Sequence, residues 1–355
     1  MKIKSVKTWM QQLPLTKPYT IAYKTIAATE IVFLEITLHN DITGIGAANP
    51  FAEVVGETPA VTLANLQTDF IQQLVGRDIR YFNQLIDEAV LQFPHLPGTI
   101  AAIDIALHDA FCQFIGIAVV DFYGRKVDAL PTSITIGIKE TAEMLEEARL
   151  NLMAGFKIIK IKTGLQVEQD IERVTKLHEL FGNKLLIRVD ANQGYSLADL
   201  QYFIQQTKRL GIELIEQPLA VGKENELATL PATDKALLAA DETLLDASTA
   251  LQLAYPPMPY GIFNIKLMKS GGIRGAREIG LIAANAGINL FWGCNDESMV
   301  SIAAALQVAY SCSNTKYLDL DGSFDLTSDL VSGGFILKDG LMYCSNRPGL
   351  GLTKL

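Results

Sequence analysis

Apolar and polar residues alternate along two stretches near the N-terminus. Lys2–Met10 and Glu30–His39 each repeat with a period of two, which is typical of strands that bury one face. Between them, Pro14–Thr25 contains two prolines and no periodic pattern. This segment is expected to be either a surface loop or a lid over a site elsewhere in the chain. If it is a lid, Tyr19 and Lys24 are candidate substrate contacts.

Three stretches with apolar residues at helical spacing follow these strands. They predict helices over Thr58–Gly76, Tyr81–Phe93 and Thr99–Phe114. Thr99 is suited to cap the third helix, and Gly116 is suited to end it. Residues 1–125 are therefore expected to form an N-terminal α+β domain.

From about residue 130, predicted strands and helices alternate along the chain. Eight short strands separated by helical stretches are the pattern of a parallel sheet, and eight such units favour a closed barrel over an open sheet. We therefore expect an α/β fold in which residues 126–322 form a TIM-like (β/α)8 barrel and residues 323–355 pack back on the N-terminal domain. The predicted strands cover residues 133–137, 157–162, 185–190, 212–216, 236–241, 261–266, 288–292 and 317–320.

Composition narrows the class of protein. The 355 residues carry a net charge of −9 and no basic run, which argues against a nucleic-acid partner. The four cysteines form no Cys-X-X-Cys pair, so a reducing cytoplasm is expected rather than a disulfide framework. The N-terminus begins a strand, and no apolar run is expected to reach the length of a membrane span. A soluble, cytoplasmic, globular protein is predicted; the oligomeric state stays open, and a homo-oligomer is compatible with the sequence.

Charged residues end the predicted strands of the barrel. Lys162, Asp190, Glu216, Asp241 and Lys266 each stand at the carboxyl end of a strand, at spacings of 28, 26, 25 and 25 residues. Active sites of this fold are built at that end of the barrel. Random surface charges would not fall at the same position in five successive units. The five side chains are therefore expected to meet in one site.

Three of these residues are carboxylates on adjacent strands. Without a cation, Asp190, Glu216 and Asp241 would repel one another at the end of the barrel, where part of the water is excluded. A set of oxygen ligands without histidine suits Mg2+ or Mn2+ and does not suit zinc. Taken singly, each carboxylate could instead cap a helix or form a salt bridge, but in register the three predict one Mg2+ per site.

Lysines flank this predicted metal on two sides. Lys160 and Lys162 project from the same strand face, so their repulsion is expected to lower the pKa of each. Lys266 comes from the opposite side of the barrel. The pattern suits proton transfer beside a carboxylate, in which a metal stabilises an enediolate, one lysine removes the proton and the other returns it on the opposite face.

Longer motifs around these residues resemble the enolase superfamily, in the subgroup that includes the muconate-lactonizing enzymes. The resemblance covers nearly the whole chain, and within the subgroup Asp319-Leu320-Asp321 is similar to the Asp-X-Asp of the dipeptide epimerases. The motifs are Lys160-Ile161-Lys162, Asp190-Ala191-Asn192, Glu216-Gln217-Pro218, Ala240-Asp241-Glu242 and the segment Asn264–Gly272.

The resemblance implies a role for each matching residue. Asp190, Glu216 and Asp241 would bind the metal, and Lys162 and Lys266 would be the acid–base pair. The Asp-X-Asp pair would hold the free α-amino group of a dipeptide, since two carboxylates on one strand face suit an ammonium ion. Among the predicted substrate contacts, Lys160, Thr135, Asp319 and Asp321 match positions of the family. Asp296 is a further predicted contact at a position where relatives more often have an apolar residue, so its role stays open. Lys24 and Tyr19 are predicted contacts from the possible lid.

The choice of dipeptide is less constrained. The Ala-Glu epimerases of the family have arginine at the position of Lys24, and Asp296 would repel an acidic side chain. Ala-Xaa dipeptides with a small or apolar second residue are therefore favoured, with Ala-Glu as the main rival. The proposed apolar pocket consists of Tyr19, Tyr23, Phe51 and Trp292.

Other functions on the same scaffold stay open. o-Succinylbenzoate synthesis and muconate cycloisomerisation use substrates without an ammonium group, which the Asp-X-Asp pair does not favour. A non-catalytic metal-binding barrel would not require buried lysines, which are costly to bury. A Schiff-base aldolase needs one reactive lysine and no site with three carboxylates.

Overall fold

The N-terminal part of the chain is an antiparallel sheet covered by helices. A computed structural model describes residues 1–21 and 24–355, and its side-chain contacts cover residues 1–16 and 27–355. The strands are β1 (Ile3–Ile21), β2 (Lys24–Leu38) and β3 (Thr43–Ala48), paired in that order. The helices are α1 (Ala52–Val55), α2 (Pro59–Leu66), α3 (Asp69–Gln72), α4 (Phe82–Gln92), α5 (Pro97–Ile115) and α6 (Val119–Tyr123), with a 3-10 turn at Ile79–Tyr81.

The segment that was predicted to be irregular belongs to the two long strands. β1 pairs with β2 as far as Ile21 and Lys24, with a register shift between Pro14 and Tyr19. Proline cannot donate to a strand ladder, so a shift in register beside Pro14 accommodates it without ending the strand. The Thr16 N–H also donates to the Asp325 carbonyl at 2.7 Å, which attaches this extension to the far end of the chain. The lid role of the segment stays a prediction.

Helix α5 is the core helix of this part. A Cβ at Gly46 would lie 1.9 Å from the Ala102 carbonyl oxygen, so β3 and α5 approach to backbone contact and only glycine fits there. Contrary to the expectation from sequence, α5 is long and apolar enough to cross a membrane, but 78% of its most apolar window is buried inside the protein. It is the buried centre of a folded unit.

The start of α5 is capped by a residue far from it in sequence. Glu57 accepts hydrogen bonds from the N–H groups of Gly98 and Thr99, at 2.7 and 2.8 Å, and from the Thr99 hydroxyl at 2.6 Å. The prediction that Thr99 caps the helix was wrong, because Pro97 and Gly98 already belong to its first turn. Gly116 ends the helix in a left-handed conformation, as predicted.

The helix predicted over Thr58–Gly76 is interrupted. It breaks into α2 and α3 at Gln67 and Thr68, where Thr68 has an extended backbone and its hydroxyl donates to the Asn65 carbonyl at 2.7 Å. A threonine side chain that bonds to the backbone offers the chain an alternative to the helix.

In the described part of the chain, eight parallel strands form the second sheet, each paired with its neighbour in sequence. A bridge between Thr132 and Leu318, with the Ser133 N–H donating to the Leu318 carbonyl at 3.0 Å, joins the last strand to the first. The prediction of a (β/α)8-type barrel with an N-terminal capping domain is confirmed. Its strands, after the short β4 (Ala129–Pro131), are β5 (Ile134–Ile136), β6 (Ile158–Lys162), β7 (Leu186–Asp190), β8 (Ile212–Glu216), β9 (Leu238–Ala240), β10 (Ile262–Ile265), β11 (Asn289–Trp292) and β12 (Thr315–Leu318).

Helices connect the successive strands of this sheet, as the alternating pattern predicted. One of them runs from Val167 to Phe181, and Ser196 and Asp199 form a capping box at the start of the helix that begins at Leu197. The helices are α7 (Thr141–Met153), α8 (Val167–Phe181), α9 (Leu197–Thr207), α10 (Glu224–Leu227), α11 (Ala232–Lys235), α12 (Ala247–Leu253), α13 (Leu267–Ser270), α14 (Ile273–Ala286) and α15 (Met299–Ala309), with a 3-10 turn at Gly182–Lys184.

The end of the chain returns to the N-terminal part. Asp109 of α5 accepts from the Ile45 N–H at 3.0 Å and from the Leu350 N–H at 2.8 Å, so one buried carboxylate joins β3, α5 and the C-terminal segment. The last strands are β13 (Val331–Gly333), β14 (Phe335–Lys338), β15 (Leu341–Cys344) and β16 (Leu352–Lys354).

A second carboxylate of α5 caps a barrel helix. Helix α14 begins after Gly272 without a side-chain cap of its own. Asp104 supplies one, because its carboxylate accepts from the N–H groups of Ile273 at 2.6 Å and Arg274 at 3.3 Å. The two parts of the chain are thus joined by buried, charge-assisted hydrogen bonds.

We expect Asp104→Asn to lower the free energy of unfolding by about 1–3 kcal/mol, because an amide N–H would face a backbone N–H in a buried place. Urea denaturation would measure the change. Asp69→Asn, in the exposed first turn of α3, is the matched control and should stay within about 0.5 kcal/mol of the wild type. If the two variants had the same free energy of unfolding, the hydrogen bonds from Asp104 to α14 would not stabilise the protein.

Candidate active site

The charged strand ends meet at one mouth of the barrel. Lys162, Asp190 and Glu216 are the last residues of β6, β7 and β8, and they are direct neighbours in the sheet register. Asp241 and Lys266 follow immediately after β9 and β10. The carboxyl ends of parallel strands share one edge, so the structure brings together all five residues that the spacing predicted.

The three carboxylates Asp190, Glu216 and Asp241 are buried together. Burial, and next the charge of Asp190, raises the pKa of Glu216 to about 8. Burial would also raise the pKa of Asp190 and of Asp241, but the neighbouring lysines hold both below their usual value. The carboxylates are therefore close enough to repel one another and need positive charge nearby.

The donor set fits a hard divalent cation, since it consists of carboxylate oxygens in a confined space. In residues 1–21 and 24–355, no three histidine, cysteine or acidic side chains stand in a ready metal-binding arrangement. Each of the three carboxylates is instead hydrogen bonded to a lysine.

Lys160 lies at the centre of this charge network and is 4% exposed. Its Nζ donates to Asp319 Oδ2 at 2.6 Å and to Glu216 Oε2 at 3.0 Å, and lies 3.4 Å from Asp190 Oδ2. Burial alone would lower the pKa of Lys160, but these carboxylates more than offset it and hold the pKa well above its usual value. The expectation that the pKa of Lys160 is lowered was wrong, because the attraction of Asp319, Glu216 and Asp190 dominates.

Lys162 and Lys266 stand on opposite sides of the mouth. Their strands, β6 and β10, are second and sixth in a closed ring of eight. Lys162 Nζ donates to Asp190 at 2.6 Å and Lys266 Nζ to Asp241 at 2.9 Å, with side chains that are 31% and 16% exposed. Burial would lower the pKa of Lys266, but Asp241 and Glu216 raise it above the usual value. Each amine is thus held against a different carboxylate of the cluster.

Two further residues of the site were not predicted. Lys269 is buried, and its Nζ donates to the Asp241 carboxylate, to the Asp241 carbonyl at 2.6 Å and to the Asn264 carbonyl at 3.2 Å. The Asn264 amide donates to Glu216 Oε1 at 2.6 Å. The available signal for Lys269 was its spacing of three residues from Lys266, about one helical turn.

Asp319 and Asp321, just beyond β12, have different surroundings. Asp319 is paired with Lys160 and accepts from the Ser133 hydroxyl at 2.6 Å. Asp321 accepts from the Thr135 N–H at 2.8 Å, and within the described part of the chain it forms no ion pair. Burial, and next the charge of Asp319, raises the pKa of Asp321 to about 7. Asp321 is therefore the carboxylate of the two that can still accept a cation.

The loop after β11 is attached to the capping domain. The carbonyl of Asp296 accepts from the Asn49 amide at 2.7 Å and from the Thr29 hydroxyl at 3.1 Å. Trp292, which was predicted to line a pocket, is fully buried instead, and its Nε1 donates to Thr315 inside the barrel wall. The side chains of Lys24, Tyr19 and Tyr23 lie outside the described residues, so their predicted contacts stay predictions.

Comparison with known proteins agrees with this architecture. Residues 3–124 match the model of the mandelate racemase/muconate lactonizing enzyme N-terminal domain, and residues 143–354 match the enolase C-terminal domain-like model. The chain is 49% identical to L-Lys-D/L-Arg epimerase of Desulforapulum autotrophicum, over all of both chains. It is 33% identical to hydrophobic dipeptide epimerase of Enterococcus faecalis, over 99% of this chain and all of the relative.

A solved structure is similar over the same length. The dipeptide epimerase of Methylococcus capsulatus, complexed with Mg and the dipeptide L-Arg-D-Lys, superposes with a TM-score of 0.97 at 46% identity, over 99% of this chain and all of that one. The resemblance drawn from the strand-end motifs is confirmed. The protein belongs to the mandelate racemase/muconate lactonizing enzyme family of the enolase superfamily.

Proposed function

We propose that this protein is a Mg2+-dependent dipeptide epimerase that inverts a carbon beside a carboxylate by moving one proton. The observation that carries the proposal is the placement of Lys162 and Lys266 on opposite sides of three buried carboxylates. A substrate carbon held between two amines can lose its proton to one and regain a proton from the other on the opposite face. This exchange inverts the stereocentre.

The proposed metal ligands are Asp190, Glu216 and Asp241. A bound Mg2+ would neutralise the substrate carboxylate and stabilise the charge that develops when the adjacent carbon loses its proton. Lys162 and Lys266 each hydrogen bond to one of these carboxylates, so both amines are held beside the proposed metal position.

The remaining charges suit the two ends of a free dipeptide. Lys160 is a buried cation, and we assign it to the substrate carboxylate. Asp321 is a buried carboxylate without an ion pair among the described residues, and we assign it to the α-ammonium group, with Asp319 beside it. An ammonium ion would relieve the repulsion between the two carboxylates.

We further propose that the preferred dipeptides carry cationic side chains. The relatives at 49% and 46% identity are named for, or complexed with, dipeptides of lysine and arginine. Asp296 is an acidic residue on a loop held at the mouth by Asn49 and Thr29, and the chain as a whole has a net charge of −9. The earlier preference for small or apolar second residues depended in part on Trp292, which is buried. Ala-Xaa dipeptides are therefore the competing substrates in the test.

One deuterium-exchange experiment tests both the epimerase activity and the preference for cationic side chains. We expect the protein with Mg2+ in heavy water to add one deuterium to L,L-dipeptides, and to do so about tenfold faster for Lys-Arg and Arg-Lys than for Ala-Ala or Ala-Glu. Mass spectrometry of a mixed pool would show which members gain mass. Faster exchange of Ala-Ala would overturn the cationic preference alone, whereas no exchange in any member would overturn the epimerase proposal.

Lys162→Ala and Lys266→Ala should each lower the rate of epimerisation by about 100-fold or more, because each removes the base or acid on one face. Polarimetry on the preferred dipeptide would follow inversion. Lys316→Ala, which removes an exposed lysine of β12, is the matched control and should keep the wild-type rate. A single variant of the pair that still inverts its substrate at the wild-type rate would refute the scheme with two bases.

Asp296→Asn should lower kcat/KM for Lys-Arg by about tenfold and leave Ala-Ala unchanged, because only the cationic side chain would lose a charge-assisted hydrogen bond. Steady-state kinetics on both dipeptides would measure the ratio. Asp234→Asn, whose side chain contacts only Thr233 among the bonds described, is the control. An equal loss for both dipeptides would show that Asp296 acts on the fold of the loop and not on the side chain.

Removal of divalent metal should abolish activity, and Mg2+ should restore it, since the three carboxylates would otherwise face the substrate carboxylate with like charge. A chelator titration followed by addition of Mg2+ would measure the loss and recovery. Full activity of a chelated sample that contains no metal by elemental analysis would contradict the proposed site.

A further inference from the structure

Gln217 follows Glu216 at the end of β8 and has an unusual backbone. Its φ is 33°, in the left-handed region that residues other than glycine rarely adopt, and its side chain is fully buried. A strained backbone of this kind persists only where the surrounding contacts determine it, and such positions cluster at functional sites. Gln217 is therefore a candidate for a role in the neighbouring site.

The backbone of Gln217 connects the ends of three strands. Its N–H donates to the carbonyl of Ala239 in β9 at 2.8 Å. Its carbonyl accepts from the N–H of Gln193, in the loop after β7, at 2.7 Å. The residue thus joins β8 to the two neighbouring strands at the level where the carboxylates Asp190 and Asp241 project.

The side chain of Gln217 completes this connection. Its Oε1 accepts from the N–H groups of Asp241 and Thr243, at 2.9 and 3.2 Å. Its Nε2 donates to the Leu219 carbonyl at 3.0 Å and to the Thr243 hydroxyl at 2.9 Å, and lies 3.2 Å from the Tyr260 hydroxyl. Two backbone donors face one end of the amide and a carbonyl faces the other, so its orientation is determined.

We infer that Gln217 is a positioning residue for the proposed metal site. It holds the backbone of Asp241 against the strand end that carries Glu216, while its own carbonyl holds the loop that follows Asp190. The distances between the three carboxylates then depend on one buried amide and one strained peptide. This inference rests on the proposed function, because it concerns the Mg2+ site that the function requires.

A neighbouring glutamine provides a matched control. Gln193 also follows a carboxylate strand end and also has a positive φ, of 69°. Its side-chain oxygen, however, accepts only from the Val221 N–H, at 3.1 Å, and among the bonds described it does not contact the backbone of a carboxylate residue of the site. Replacement of either glutamine by methionine keeps the length of the side chain and removes its hydrogen bonds.

Calorimetric titration of the full-length, metal-free protein with Mg2+ measures the effect directly, without substrate. We expect Gln217→Met to raise the Kd for Mg2+ by about 10–100-fold, the usual loss when a residue that orients metal ligands is removed. Gln193→Met should remain within about threefold of the wild type. Thermal unfolding of the metal-free proteins, measured in parallel, separates a change in Kd from a change in stability.

A second variant covers the case in which Gln217→Met does not fold. Thr243→Val removes one partner of the amide, and we expect it to raise the Kd for Mg2+ by about 3–10-fold. A folded Gln217→Met protein with the wild-type Kd would overturn the inference, even if its Tm were lower. An unchanged Kd in Thr243→Val would overturn it when Gln217→Met is unfolded.

Mg2+ binding and epimerisation are measured separately, so the positioning role and the proposed reaction can fail independently. A wild-type protein that binds no Mg2+ would remove the metal site, and with it any role for Gln217 there. A wild-type protein that binds Mg2+ but epimerises no dipeptide would refute the proposed reaction, while weaker Mg2+ binding in Gln217→Met would still support the positioning role.

Discussion

Like charge at the mouth of the barrel is the constraint on which the rest of the site depends. Three buried carboxylates on adjacent strands repel one another, and burial of Glu216 together with Asp190 raises the pKa of Glu216 to about 8. Three of the four lysines that neutralise the group, all but Lys269, are the residues proposed to act on the substrate. Lys160 binds Glu216 and Asp319, and Lys162 and Lys266 each bind one carboxylate from opposite sides. The charges that balance the buried carboxylates are thus also those that the proposed proton transfer would use.

A second unit of the chain contacts the loop after β11 at this mouth, and polar groups hold the two units together. Asp104 and Asp109 on the core helix of the capping domain accept backbone N–H groups from the barrel helix α14 and from the C-terminal segment. Asn49 bonds to the carbonyl of Asp296 in the loop after β11. The loop proposed to select the dipeptide therefore depends on contacts from residues about 250 positions away in the sequence.

Sequence patterns predicted the architecture correctly where the same local pattern recurs, a strand that ends in a charged residue and is followed by a helix. Eight strands alternating with helices were sufficient to predict the barrel, and the family comparison confirms that fold. The spacing of Lys162, Asp190, Glu216, Asp241 and Lys266 predicted a site at one end of it. Patterns failed where a distant partner decided the outcome. The strands around Pro14, the cap of α5 by Glu57 and the burial of Trp292 each depend on contacts with other segments.

By itself, the sequence determined which residues stand at the strand ends, because the period of a strand and the length of a βα unit are local properties. Only the tertiary structure decided how their charges are balanced. Lys160 follows a local pattern that predicts a lowered pKa, yet three carboxylates from other strands raise it. In the sequence, Gln217 is only the middle residue of a motif. The fold places its side-chain amide between Asp241, Thr243 and Leu219. The physical reason is that Coulomb energies and hydrogen bonds depend on distances across the barrel, which no local pattern specifies.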